Sequence, residues 1–141
     1  MNTIAKGRLG YNLLERELLK RDWDLYIPIL ENTKIDCIAI KKDILIRMQI
    51  KTLATDRSLP VRKISHNQGQ YKVHLYSKDE IDYFIGVDLD NEDIYIVPIE
   101  ITSQYSSRVS ISKLQSYKNN FAQLEPLQEN LLSADDDIGE N

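Results

Sequence analysis

Residues 34–52 read KIDCIAIKKDILIRMQIKT. They hold two apolar runs, Ile35 to Lys41 and Ile44 to Thr52, rich in Ile, Leu and other residues that favour strands buried on at least one face. The link between them, Lys42-Asp43, is short enough for a hairpin. Alternate residues of a strand share a face, so Leu45, Arg47, Gln49 and Lys51 point one way. A hairpin folded at Lys42-Asp43 brings Asp36 to the level of Gln49 and Lys51. The stretch therefore predicts a carboxylate, an amide and an ammonium at the end of one small sheet.

A carboxylate oxygen and an amide oxygen can ligate Mg²⁺, a hard cation that takes few protein ligands and keeps several waters. A lysine beside such an ion can orient water or neutralise charge building on a phosphate. The plainer alternative is that Asp36 and Lys51 are solvated strand-end charges. Gln49 weighs against it, because an amide inside so apolar a strand needs a partner.

Asp36, twelve intervening residues, then Gln49-Ile50-Lys51 resembles the PD-(D/E)XK nuclease motif of the restriction-endonuclease fold, with Gln where Asp or Glu usually stands. Upstream, Lys6-Gly7-Arg8-Leu9-Gly10 opens an amphipathic helix, as in many members. Within the family the chain is most similar to the cyanobacterial homing endonucleases encoded in group I introns. The resemblance implies an α/β fold with a central mixed sheet of five or six strands flanked by helices. It implies site-specific cleavage of phosphodiester bonds in double-stranded DNA, with Mg²⁺ as cofactor and Mn²⁺ as substitute. Asp36, Gln49 and the Ile50 carbonyl would hold the metal, and Lys51 would act at the attacking water or the non-bridging oxygens. It further implies a homo-oligomer, a tetramer or a dimer, on a long, nearly palindromic site, in a bacterial cytoplasm.

The motif also departs from the family pattern. Ile35 precedes Asp36 in place of Pro. Relatives of this type carry a metal-binding Glu after the second Gly of the first helix, where this chain has Tyr11. A phenol, with its ordinary pKa about 10, is no anionic ligand near neutral pH. Glu15 stands one turn on, roughly 5–6 Å along the same helix face. Tyr11 thus predicts a weakened or disabled nuclease that still binds its DNA. Two alternatives share the fold: a Holliday-junction resolvase, which grips branched DNA by shape, and a non-catalytic DNA-binding protein.

A chain of 141 residues with 42% hydrophobic content suits one domain with a real core. We expect a nuclease domain over residues 1–132 and an acidic tail over 133–141. No apolar run approaches the length of a membrane span, and no secretory signal is evident. Cys37 is the only cysteine, which excludes an intrachain disulfide and fits a reducing compartment. The net charge of −4 runs against DNA binding until its distribution is read. Residues 41–72 carry eight Lys or Arg against Asp43 and Asp56, while residues 76–100 carry Lys78 against eight acids. That segregation is either a basic face or an ordinary surface whose charges interleave on folding.

Elsewhere the periodicity predicts a helix over residues 3–21, capped by Thr3, with Gly7 and Gly10 allowing close backbone approach to the sheet or to DNA. A first strand is expected from Trp23 to Leu30. Residues 53–71 read as a long basic loop, with Arg57, Arg62, Lys63 and His66 on phosphates and Gln68 and Gln70 on base edges. Lys72, also expected at DNA, opens a short strand to Tyr76. A capping box at Ser77–Glu80 predicts a helix to Asp82, and strands follow at Tyr83–Asp88 and Asp93–Pro98. A second polar stretch offers Ser103, Gln104, Tyr105, Ser107 and Arg108 to DNA. A last helix is expected from Lys113 to Leu124, with Leu127, Leu131 and Leu132 free to pack on a neighbouring subunit.

Overall fold

The computed structural model describes residues 1–30 and 33–125. The hairpin forms as its sequence requires. Strand β2 (Cys37–Lys41) runs antiparallel to β3 (Ile44–Thr52), and Cys37 sits opposite Met48. Lys42, at the turn, takes a positive φ of 54°. Helix α1 (Thr3–Leu19) precedes the hairpin, with β1 (Asp24–Tyr26) between them. After β3 come β4 (Ser58–Pro60), β5 (Arg62–Asn67) and β6 (Gln70–Leu75). They are followed by β7 (Tyr83–Asp88), β8 (Asp93–Pro98), α2 (Ile99–Thr102), β9 (Arg108–Ser110) and three 3-10 turns.

The main sheet has five strands in the order β1-β2-β3-β7-β8. All neighbours are antiparallel except β3 and β7, which are parallel, with Ile50 opposite Ile85. A parallel pair needs a long crossover. Here residues 53–82 supply it without a helix, through β4 and the β5–β6 hairpin. This mixed α/β sheet flanked by helices is the architecture that the motif implied.

Alternation sorts the sheet residues onto two cores. Ile46, Met48, Ile85 and Val87 face α1, where Leu14, Leu18 and Trp23 cover them. Phe84, Tyr95 and Val97 face the other way, under Leu59, Ile99 and Val109 from β4, α2 and β9. The two helical glycines part company. A Cβ on Gly10 would lie 3.2 Å from Thr52 Cγ2 and 3.7 Å from Val87, so this glycine lets α1 press on the sheet. Gly7 has open space around its Cβ position.

Several sequence expectations are corrected. Asn2, not Thr3, caps α1, its Oδ1 accepting from the Ala5 amide at 2.8 Å. The first strand is only three residues long, because Pro28 cannot donate to a ladder and the chain leaves the sheet at Ile27. Residues 53–71 are no loop. They contain β4, β5 and the start of β6, with Gln68 and Gly69 at φ 52° and 77° making the tight turn. Half of the capping box forms, with the Ser77 amide donating to Glu80 Oε1 at 3.1 Å while the Glu80 amide donates to the Ser77 carbonyl, and it closes a single turn rather than a helix. Arg47 explains why. Its guanidinium donates to the Asp79 and Lys78 carbonyls at 2.7 Å each and grips Asp82, so those carbonyls are taken before a helix can continue. The last helix is replaced by 3-10 turns at Ile111–Lys113, Gln115–Tyr117 and Phe121–Leu124, which still bury Leu114, Phe121 and Leu124. Leu127, Leu131, Leu132 and the acidic tail lie outside the described residues.

Candidate active site

Strand β2 ends at Cys37, while β3 runs on to Thr52. Beyond Met48 the β2-side edge of β3 is therefore left without a partner strand. Asp36 fills the first gap. Its amide donates to the Met48 carbonyl at 2.9 Å, and its carboxylate Oδ2 accepts from the Ile50 amide at 2.8 Å. The carboxylate thus stands in for a missing ladder carbonyl, with Oδ1 left over. The N–H and C=O of one strand residue point to the same edge. The Ile50 carbonyl therefore faces the same gap as Asp36.

Gln49 is 6% exposed and shares its sheet face with Phe84, its register partner on β7. Its Oε1 is buried with no hydrogen-bond partner among the described residues. Such an orphan costs about 1–3 kcal/mol unless something outside the chain satisfies it. Lys51, two residues on, lies opposite Gly86, whose missing side chain leaves room for Leu59. Asp36, Gln49, Ile50 and Lys51 all line one cleft of about 820 Å³. The four motif residues are thus brought together.

Helix α1 and the β5–β6 hairpin form the walls. Arg8, Tyr11, Asn12 and Glu15, at helical spacing, come from α1, and Lys63 comes from β5. Tyr11 is half-buried, and its phenol is pushed up by burial and by the Glu15 carboxylate one turn on. It presents a neutral hydroxyl where an anionic ligand would be needed. Burial likewise raises the Asp36 carboxyl above its ordinary value, while the Ile50 amide, Lys51 and Lys63 pull it down. Tyr76, on the cleft floor, was given no role by the sequence reading. Burial, with Asp36 and Glu80 adding, pushes its phenol up to about 12, so it is a hydrogen-bond donor across the neutral range. Its one sequence signal is an aromatic closing the strand that begins at Lys72. Arg8 and Asn12 had a clearer one, since they fall on the helix face of Tyr11 and Glu15.

The other residues expected at DNA do not gather here. Arg57 donates to the buried Asp88 at 2.8 Å, and Arg108 pairs with Asp56 at 3.0 Å. Ser103 and Gln104 turn back onto the Glu100 carbonyl. Tyr105 lies under the Lys113 ammonium, and the Ser107 carbonyl accepts from the Val61 amide. His66, Gln68, Gln70 and Lys72 are exposed along the β5–β6 hairpin, and Arg62 is half-buried at its base.

A family model described as PD-(D/E)XK endonuclease matches residues 1–125. The chain belongs to that family. Family membership supports an endonuclease, and nucleases of this family generally use divalent metal ions. Among solved structures the chain is similar to a bacterial homing endonuclease, I-Ssp6803I, with a TM-score of 0.81. The match has 16% identity and covers 94% of this chain and 97% of that one. At that identity the likeness is one of fold. A comparison with curated protein sequences finds no match.

The donor set suits a divalent ion, though thinly. An orphaned buried amide oxygen, a carboxylate with one oxygen free and a strand-edge carbonyl are the hard oxygen ligands such an ion takes. Among the described residues no group of three His, Cys, Asp or Glu is placed to bind a metal. Only one carboxylate, Asp36, belongs to this donor set.

Proposed function

We propose that this protein is a site-specific double-stranded DNA endonuclease of the homing type, dependent on Mg²⁺ or Mn²⁺ and weakened by Tyr11. The observation that carries the reading is the Gln49 Oε1, buried without a partner among the described residues in the cleft that Asp36, Lys51 and Lys63 also line. Asp36, Gln49 and the Ile50 carbonyl would hold the ion, which when bound would supply Lewis-acid charge at the scissile phosphodiester. Lys51 orients the attacking water or neutralises the non-bridging oxygens. Lys63 faces the same carboxylate and adds positive charge where the phosphate must lie. Tyr76 offers a hydroxyl donor to the same group. DNA is the macromolecular partner, bound by a homo-oligomer.

Tyr11 favours a second reading, a DNA-binding protein that has lost turnover. One experiment separates them. The chain and its Tyr11→Glu variant are each given a randomised duplex library, with binding selected in Ca²⁺ and cleavage scored in Mg²⁺ and Mn²⁺. The proposal expects both to enrich one long site, and the Glu variant to cut it at least tenfold faster. Enrichment with no cutting by either, and no change in Lys51→Met, supports the binder. Preference for four-way junctions over every duplex supports a resolvase.

A further inference from the structure

Residues 62–75 form a two-stranded ribbon outside the main sheet. Its register fixes two faces. Lys63 pairs with His74, Ser65 with Lys72 and Asn67 with Gln70, giving one polar face. Arg62 pairs with Leu75, Ile64 with Val73 and His66 with Tyr71, giving the other. Ile64, Val73 and Leu75 on that second face are 44%, 45% and 50% exposed.

The polar face is the one tied to the cleft. Lys63 lines the cleft, close enough to Asp36 to affect its charge. His74 bonds to Glu80 at 2.9 Å and stands edge-on to the cleft residue Tyr76, ring centroids 5.1 Å apart. From that anchored base the same face runs outward through Ser65, Lys72, Asn67 and Gln70, all exposed. The ribbon carries Arg62, Lys63 and Lys72 and no acid. A two-stranded ribbon fits the major groove of B-DNA, where Asn and Gln read adenine and Lys reads guanine or a phosphate.

Resting on the endonuclease reading above, we propose that the ribbon enters the major groove beside the scissile phosphate with its polar face toward the bases. Asn67 and Gln70 read adjacent bases at the tip, and Lys72 grips the backbone. The face bearing His66, Tyr71 and Val73 turns away from the DNA. Apart from Arg62 at the base it offers Ile64, Val73, Leu75, His66 and Tyr71, and none of the amides that read adenine. His66 is therefore not a DNA contact.

The test is Ca²⁺-supported selection from a randomised duplex library, which measures binding whether or not the chain cuts. Wild type, Asn67→Ala, Gln70→Ala, Lys72→Ala and His66→Ala are compared. All four positions are exposed, so the fold is not at stake, and circular dichroism checks it. The proposal expects Asn67→Ala and Gln70→Ala each to relax preference roughly tenfold at one or two adjacent positions of the selected site. Lys72→Ala should weaken every sequence alike and reduce the salt slope by about one. His66→Ala should change neither. The proposal is overturned if His66→Ala alters the site while Gln70→Ala does not, or if all four variants select the wild-type site with wild-type affinity. If wild type enriches no sequence, the endonuclease reading fails with it.

Discussion

Gln49 puts an amide where packing alone would place Leu or Ile. Its Oε1 has no partner among the described residues, so among them the metal-free protein leaves this buried acceptor uncompensated. Gln49→Leu removes that burden. The variant should be more stable than wild type by about 1 kcal/mol in chelator, and should lose the rise in Tm that Mn²⁺ gives wild type. Chemical denaturation with EDTA and thermal melts with Mn²⁺ read both effects. A Gln49→Leu protein that is destabilised in EDTA and still responds to Mn²⁺ would sink the ligand role. Asp36 makes a pH prediction. Burial raises its carboxyl, so the folded state holds that proton more tightly than the unfolded chain. Stability of the metal-free protein should then fall as pH rises from the ordinary carboxyl value through the raised one, and Asp36→Asn should abolish this dependence. Lys63 opposes the rise, so Lys63→Met should push the carboxyl higher still. Because only the carboxylate ligates, the acid limb of Mn²⁺ binding should move to higher pH in Lys63→Met. Calorimetric titration with Mn²⁺ at a series of pH values checks the direction.

Helix α1 shows how an element can be legible in outline and hidden in detail. Two glycines within one amphipathic stretch signal close approach, but a sequence does not say to what. The structure gives Gly10 to the sheet and leaves Gly7 open on the cleft side. Gly7→Ala should therefore stabilise the protein by about 0.5–1 kcal/mol through helix propensity. Gly10→Val, forced against Thr52 and Val87, should destabilise it by about 1–3 kcal/mol. Urea denaturation of the pair decides, and equal effects would mean that α1 does not press on the sheet through Gly10. The β2–β3 hairpin was legible because two apolar runs flank a two-residue link, a wholly local signal. Asp36, Gln49 and Lys51 followed from its period of two. The strand read from Lys72 to Tyr76 is there as β6, but β5 and the hairpin that joins them were missed, because the alternation mixes Ile and Val with Ser, Asn and Gln and Gln68-Gly69 is a weaker turn signal than Asn-Gly. The helix expected after Ser77 failed for a tertiary reason. Arg47, thirty-two residues away from Asp79, takes the carbonyls that the helix would have used. Tyr76 could not be assigned a role, because its place under the cleft depends on how the crossover folds.

At the scale of the whole molecule, the segregated charge partly interleaves on folding. The basic segment gives Arg47 and Arg57 to Asp82 and Asp88 of the acidic one. Of that segment's cations Lys42, Lys51, Arg62, Lys63 and Lys72 enter no ion pair among the described residues, and all but Lys42, at the β2–β3 turn, lie on the cleft or on the ribbon beside it. The basic footprint is thus smaller than the sequence count suggests, and it is concentrated at one site. On the proposed reading one such cleft would act on one phosphodiester, so cutting both strands of a duplex would require two copies placed about a two-fold axis. A nearly palindromic target is the DNA counterpart of that axis. The stoichiometry is therefore expected to be two clefts engaged per duplex, whether the free protein is a dimer or a larger assembly. Mixing tests it most directly. When Tyr11→Glu protein is co-assembled with an excess of the same protein carrying Lys51→Met, nearly all pairs that hold any active cleft hold just one. The product should shift from linear to nicked plasmid as the Lys51→Met fraction rises, while total DNA bound stays constant. Linear product falling with no nicked plasmid in its place would mean that the two clefts do not act on separate strands, and the two-copy arrangement would have to be abandoned.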